Sequence, residues 1–171
     1  MLPALDALKT AIEQAVPGII LGLEGTTLIV EPKDLVRVCR LLKDSPAYQL
    51  DYLSSVTAID YPSTAPAAGS TEPPQPGRIE TVYHLYSMAQ KHGPVAIRSK
   101  LPREDPRIAS LVPLYRGAEF QEREVYDLFG VIFEGHPDLR RIFMWDDFKG
   151  HPLRKDYVVE DQNVPQDASR A

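Results

Sequence analysis

The sequence predicts an α+β fold: a single domain with a mixed sheet and helices packed on it, continuing into an irregular, extended C-terminal tail. Three observations predict it. Apolar residues recur at steps of three and four in two early segments, the period of a helix buried along one face. Between residues 95 and 101 the period drops to two, that of a strand with one wet face. Beyond Gly130 neither period holds, and glycine, proline and basic residues take over.

Taken in order, Leu5, Leu8, Ile12, Ala15 and Val16 line one side of a first helix that Pro17-Gly18 stops. Thr26–Val30 is a short β-branched run and reads as a strand. Pro32 stands at the entrance to a second helix, with Leu35, Val38, Leu41 and Leu42 on its face and Cys39 among them. A following strand around Leu50–Tyr61 completes a βαβ unit. Residues 62–77 hold five prolines and no large apolar side chain, so they predict an exposed, mobile loop between two strands. Ile79–Met88 and Val95–Leu101 are the next strands, joined by a turn at Lys91-His92-Gly93-Pro94. Helical spacing returns after Pro106. These elements place a core domain at 1–130 and the tail at 131–171.

Composition narrows the function. The 171 residues suit one domain with a single core. A net charge of -5 argues against a general nucleic-acid binder, which needs a basic footprint. No apolar run approaches the ~20 residues of a membrane span, and the N-terminus lacks the basic region of a signal peptide. One cysteine excludes an internal disulfide and a thiolate-held iron–sulfur cluster, and its apolar setting predicts a buried structural thiol.

The densest chemistry lies in Glu122-Arg123-Glu124-Val125-Tyr126-Asp127-Leu128-Phe129-Gly130, Gly135-His136-Pro137-Asp138-Leu139-Arg140-Arg141 and Gly150-His151-Pro152-Leu153-Arg154-Lys155-Asp156-Tyr157. On a helical projection Tyr115, Ala118, Val125, Leu128 and Phe129 form the core arc. Arg123 and Asp127 stand four apart on the opposite side, where an exposed pair is worth about 0.3 kcal/mol. Glu122 falls on the apolar arc, so it needs a partner inside the fold or on another molecule. An acidic helix followed by Arg140, Arg141, Lys149, Arg154 and Lys155 can fold back into ion pairs. The two Gly-His-Pro stretches fix a histidine in a bend. His136 and His151 with Asp138 and Asp156 are the candidate ligands of a stand-alone metal enzyme, although their wide spacing suits turns better than a metal site. No nucleophile elbow, phosphate loop or dinucleotide fingerprint is present. Arg140, Arg141, Phe143, Trp145, Phe148, Arg154 and Tyr157 are residue types enriched in protein–protein contacts.

Residues 117–130 through 150–157 resemble the 30-kilodalton subunit of respiratory complex I, known in bacteria as the C subunit of the NADH–quinone oxidoreductase. Glu122, Asp127, Leu128, Phe129, His136 and Arg140 fill its signature. The resemblance implies a peripheral-arm subunit on the cytoplasmic face of the bacterial plasma membrane, attached to the membrane only through the complex. Its partners are then the other peripheral-arm subunits, chiefly the 49-kilodalton-like subunit that shapes the quinone site, and cluster-bearing neighbours. NADH, FMN, iron–sulfur clusters and quinone are bound by other subunits, and no cofactor by this chain. Relatives commonly carry tryptophan where Phe120 stands, and the proline-rich stretch has the look of an insertion. Some relatives are fused to the large subunit, so a chain ending at Ala171 is expected to meet it as a separate chain. Similar subunits occur in membrane-bound hydrogenases and ferredoxin-linked complexes. On this reading Glu122, Arg123 and Asp127 orient the last helix, and His136 and His151 fix the bends. Arg140, Arg141, Arg154 and Lys155 pair with carboxylates, and Glu124 and Asp156 complete the contact set. With few apolar residues of its own, the tail over 136–157 is expected to be loose without its partner.

Overall fold

The computed structural model of the protein describes residues 4–19, 21–64 and 75–158. Helix α1, Leu5–Ala15, buries Leu8 and Ile12, with Val16 completing the stripe and Ala15 turned outward. Strands β1, Leu21–Glu24, and β2, Thr27–Val30, form a hairpin. The first of these is not apparent in the sequence, because four residues that include Gly22 show no alternation. A 3-10 turn at Pro32–Asp34 leads into α2, Leu35–Asp44, which buries Leu35, Val38, Cys39 and Leu42. The Cys39 thiol is fully enclosed, and burial pushes it up to about 12.

Three long strands follow: β3, Tyr52–Tyr61; β4, Arg78–Ser87; and β5, His92–Pro102. The sheet order is β1-β2-β5-β4-β3, with β2 and β5 parallel and the other neighbours antiparallel. Strands β2 and β3 therefore run the same way but with β5 and β4 between them. The expected βαβ unit is a split one, because the long antiparallel strands pair with one another and leave only the outer edge of β5 for β2. Val95, Ile97, Ser99 and Leu101 are buried as the alternation requires, and the Ser99 hydroxyl donates to Val30 O at 2.9 Å. The β4–β5 turn occupies 88–91, earlier than expected, since His92 pairs with Ser87 and opens β5. Thr64 and Gln75 form an antiparallel bridge at the base of the proline-rich stretch, whose centre, 65–74, lies outside the described residues.

The segment after Pro106 corrects the expectation of an immediate helix. Arg107–Ala109 is strand β6, a turn through Pro113 follows, and helix α3 begins only at Ala118 and runs to Phe129. Strand β7, Ile132–Glu134, lies parallel to β6, and Val131 and Phe133 join the core. Tyr115 is thus in the turn, where its hydroxyl donates to Leu50 O at 2.9 Å. Helix α3 flanks the outer edge of β3, and Gln121 Oε1 accepts the Val56 N–H at 2.7 Å, occupying one edge group that would otherwise be open to pairing.

Candidate functional site

Helix α3 carries three buried charged side chains, Glu122, Arg123 and Asp127, and each holds a different piece of irregular chain. Glu122 faces the interior. Its Oε2 accepts the Ser110 hydroxyl at 2.6 Å and its Oε1 the Leu111 N–H at 2.7 Å. The partner demanded by its place on the apolar arc is therefore the end of β6, within the fold. Burial pushes this carboxyl up to about 7, against the opposing pull of the two hydrogen bonds.

Arg123 and Asp127 do not form the exposed pair expected of them. Both lie beneath the chain that follows β7, because two charges on one helix face can satisfy the polar backbone of a segment with no ladder of its own. Arg123 donates to Arg140 O at 3.2 Å and Arg141 O at 3.3 Å, and its guanidinium stands 3.6 Å from Asp138. Asp127 Oδ2 receives the consecutive N–H groups of Ile142, Phe143 and Met144 at 3.1, 2.8 and 2.9 Å, while Oδ1 takes Arg141 Nη1 at 2.6 Å. Three converging amides make a small anion nest. Burial alone would raise this carboxyl; the Met144, Phe143 and Ile142 amides and the Arg141 guanidinium outweigh it and hold it below the usual range.

The same segment then turns back and caps α3. The last carbonyls of a helix have no partner inside it. Here Asp127 O accepts from His151 Nδ1 at 3.0 Å, Leu128 O from the Leu153 N–H at 3.1 Å, and Phe129 O from Arg154 Nε at 2.7 Å. Gly130 makes this approach possible. It ends the helix at φ 77, and a Cβ there would lie 2.5 Å from His151 Nε2 and 2.9 Å from Arg154 Nη2. His136 works at the other end of the helix, with Nε2 donating to Glu119 O at 2.9 Å and Nδ1 accepting the Asp138 N–H at 3.0 Å. Residues 136–157 thus form a strap fastened along α3, in which side chains of the helix supply what the strap's own apolar content does not.

The remaining predicted residues divide between the surface and the inner side of the strap. Arg140 is largely exposed and pairs with Asp138, and Glu124 and the Lys155 side chain are exposed. Arg141 is enclosed and also donates to Phe148 O and Gly150 O, both at 3.1 Å. Its guanidinium stands over the Phe148 ring at 5.6 Å, and Phe148 packs edge-on to Trp145 at 4.8 Å and stacks with Tyr157 at 6.0 Å. Phe120, Phe143 and Leu153 stay more than half exposed. The Lys155 N–H reaches Asp60 Oδ2 at 2.8 Å, and Asp156 pairs with Arg103. Asp60 and Arg103 do not stand out in the sequence. The signal for Asp60 is an acid in phase with buried Val56 and Ala58 on an alternating strand. Burial lowers the basicity of His151. His136 and His151 each bond a backbone carbonyl some eight residues apart along α3, about 12 Å. Among the described residues no group of three or more His, Cys, Asp or Glu is placed to hold a metal ion, nor is any helix long and apolar enough to cross a membrane.

Two solved structures share this architecture. The Nqo5 chain of a trypsin-resistant fragment (1–134) superposes with a TM-score of 0.52 at 28% identity, covering 80% of this chain and all of that one. A chain of the membrane-bound sulfane sulfur reductase, an archaeal respiratory membrane complex, gives a TM-score of 0.67 over 99% of both chains, and at 21% identity it speaks for the fold alone. Residues 28–163 match the respiratory-chain NADH dehydrogenase 30 Kd subunit, and the chain belongs to that family. The NADH-quinone oxidoreductase C 2 subunit of Rhizobium meliloti (strain 1021) is 43% identical over 131 residues, 76% of this chain and 64% of that one. The C subunit of the same enzyme from Saccharopolyspora erythraea is 40% identical over 133 residues, 78% of this chain. That of Roseiflexus sp. (strain RS-1) is 35% identical over 160 residues, 94% of this chain and 85% of that one. The chain spans 64% and 49% of the lengths of the Rhizobium and Saccharopolyspora relatives.

Proposed function

We propose that this chain is a structural subunit of the peripheral arm of a proton-translocating NADH:quinone oxidoreductase. It sits on the cytoplasmic face of the plasma membrane, packs against the large subunit that forms the quinone pocket, and carries no redox centre itself. One observation carries the reading: α3 fixes the strap from beneath with buried charges, while Phe143 and Leu153 stay more than half exposed on it and Arg140 is exposed on the same segment. A segment fastened from below with apolar side chains left on its surface is pre-organised for contact. Membership of the 30 Kd family and the NADH-quinone oxidoreductase relatives support the choice of complex.

Arg140→Ala and Phe143→Ser test it, since neither side chain holds the fold. Each is expected to lower the amount of assembled complex and its NADH:quinone activity in parallel, with Phe143→Ser the stronger. A complex that assembles in full and loses only turnover would sink the scaffold assignment. Recovery of the chain with nickel–iron or ferredoxin-accepting subunits in place of NADH-binding ones would move it to a related complex.

A further inference from the structure

We infer that Arg103 is a two-carboxylate clasp that lets the distal strap, residues 149–158, open and close separately from the proximal strap, residues 136–148. Arg103 follows directly on β5 and uses both edges of its guanidinium. Nε and Nη2 grip Asp60 Oδ1 and Oδ2 at 2.6 and 2.9 Å, and Nη1 and Nη2 grip Asp156 Oδ2 and Oδ1 at 2.9 and 2.5 Å. Bidentate pairing on two sides is specific to guanidinium geometry, and lysine has no equivalent. The two carboxylates differ in kind. Asp60 is almost wholly buried, whereas the Asp156 side chain is 61% exposed.

That asymmetry decides what release leaves behind. If the distal strap lifts, Asp60 gives up the Lys155 N–H but keeps Arg103, and Asp156 moves into water, so no buried charge is stranded. The attachments to the helix end are neutral carbonyls, Asp127 O, Leu128 O and Phe129 O, which water can occupy. Across the 148/149 boundary release gives up only the Gly150 O bond of Arg141, which keeps Asp127, and the Phe148–Tyr157 stack. If the proximal strap lifts, Asp127 loses three amides and Arg141 while still at the base of its site. Leaving a buried carboxylate uncompensated is far costlier than parting an exposed pair. The distal end is therefore the releasable one, and the clasp sets how often it is open.

Hydrogen exchange on the isolated full chain tests this with Asp156→Ala, which leaves the Asp60–Arg103 pair intact. Amide rates are corrected for intrinsic exchange and read at Leu153 and Arg154, away from the substituted position. The expected result is about fivefold faster exchange at those two amides. The Ile142, Phe143 and Met144 amides and the melting temperature should stay as in the parent chain. Equal acceleration from 142 to 154, or none at 153 and 154, overturns the proposal. Arg103→Ala gives a second reading: it should add a drop in melting temperature, because Asp60 is then left without its cation.

Discussion

The sheet with α1 and α2, and α3 with its strap, satisfy their backbones by opposite means. In the sheet, N–H and C=O groups pair along ladders, and cohesion comes from a stripe of fully enclosed Leu, Ile and Val side chains such as Leu28, Leu85 and Ile97. Many equivalent contacts share that load. The strap has no ladder. Asp127 serves three amides, Arg141 three carbonyls, Arg123 two, and His151 and Arg154 one each. A handful of side chains does there what backbone ladders do in the sheet. The order of such irregular chain is concentrated in a few residues and should fail residue by residue.

Asp127→Asn is the strongest way to break this contrast. An asparagine keeps the shape but brings an NH₂ against either the amide nest or Arg141, and it leaves that guanidinium short of its charge partner. We expect a loss of about 3–5 kcal/mol, with exchange protection collapsing over 140–148 and persisting in β4 and β5. Chemical denaturation and hydrogen exchange read the two effects. Unchanged stability and an intact strap would show that the nest is not what holds it.

Gly130→Ala comes next. The residue would have to adopt φ 77, which costs an L-residue about 1–2 kcal/mol, and its Cβ would push His151 and Arg154 off the helix end. A total of about 2–4 kcal/mol is expected from thermal unfolding. A matching substitution at Gly117, where a Cβ would meet only Leu53 O at 3.6 Å, should be far milder.

How much of the molecule is legible in the sequence follows the same division. The stripes of α1 and α2 and the alternation of β5 are readable because packing against one core repeats at a fixed period. Strand β1 is too short to show one, and β6 passes for helix because Ile108 and Leu111, three apart, mimic a helical step. In the strap the important residues are visible but their directions are not. Arg123 and Asp127 read as a solvent pair because periodicity places a side chain on a face without saying what will later cover that face. Glu122 is the exception: a carboxylate on an apolar arc announces that a partner exists. Finding Ser110 requires the turn that brings it back, which no local pattern encodes.

Glu122 and Asp127, two carboxylates five residues apart on one helix, give the finest test of the comparison. Asp127 has a cation and three amides and stays easily ionised; Glu122 has two donors and no cation, and it titrates at about 7. Unfolded, Glu122 would lose its proton near 4.5. Between these values unfolding releases a proton, so its contribution is fully present below pH 4.5 and is lost as pH rises through 7. Asp127 runs the other way: its contribution is present above its unfolded value and is lost in acid. Glu122→Gln keeps an oxygen for the Leu111 N–H and offers an NH₂ to the Ser110 oxygen, without the charge. It should match the parent chain near pH 4.5 and exceed it above pH 7 by about 1–3 kcal/mol. Denaturation of both proteins across about pH 4.5–8 isolates this group, because every other titration cancels in the difference. A difference that does not grow with pH would mean that Glu122 is ionised in the folded chain as readily as Asp127, and that the sheet-facing side of α3 is no less polar than the strap side.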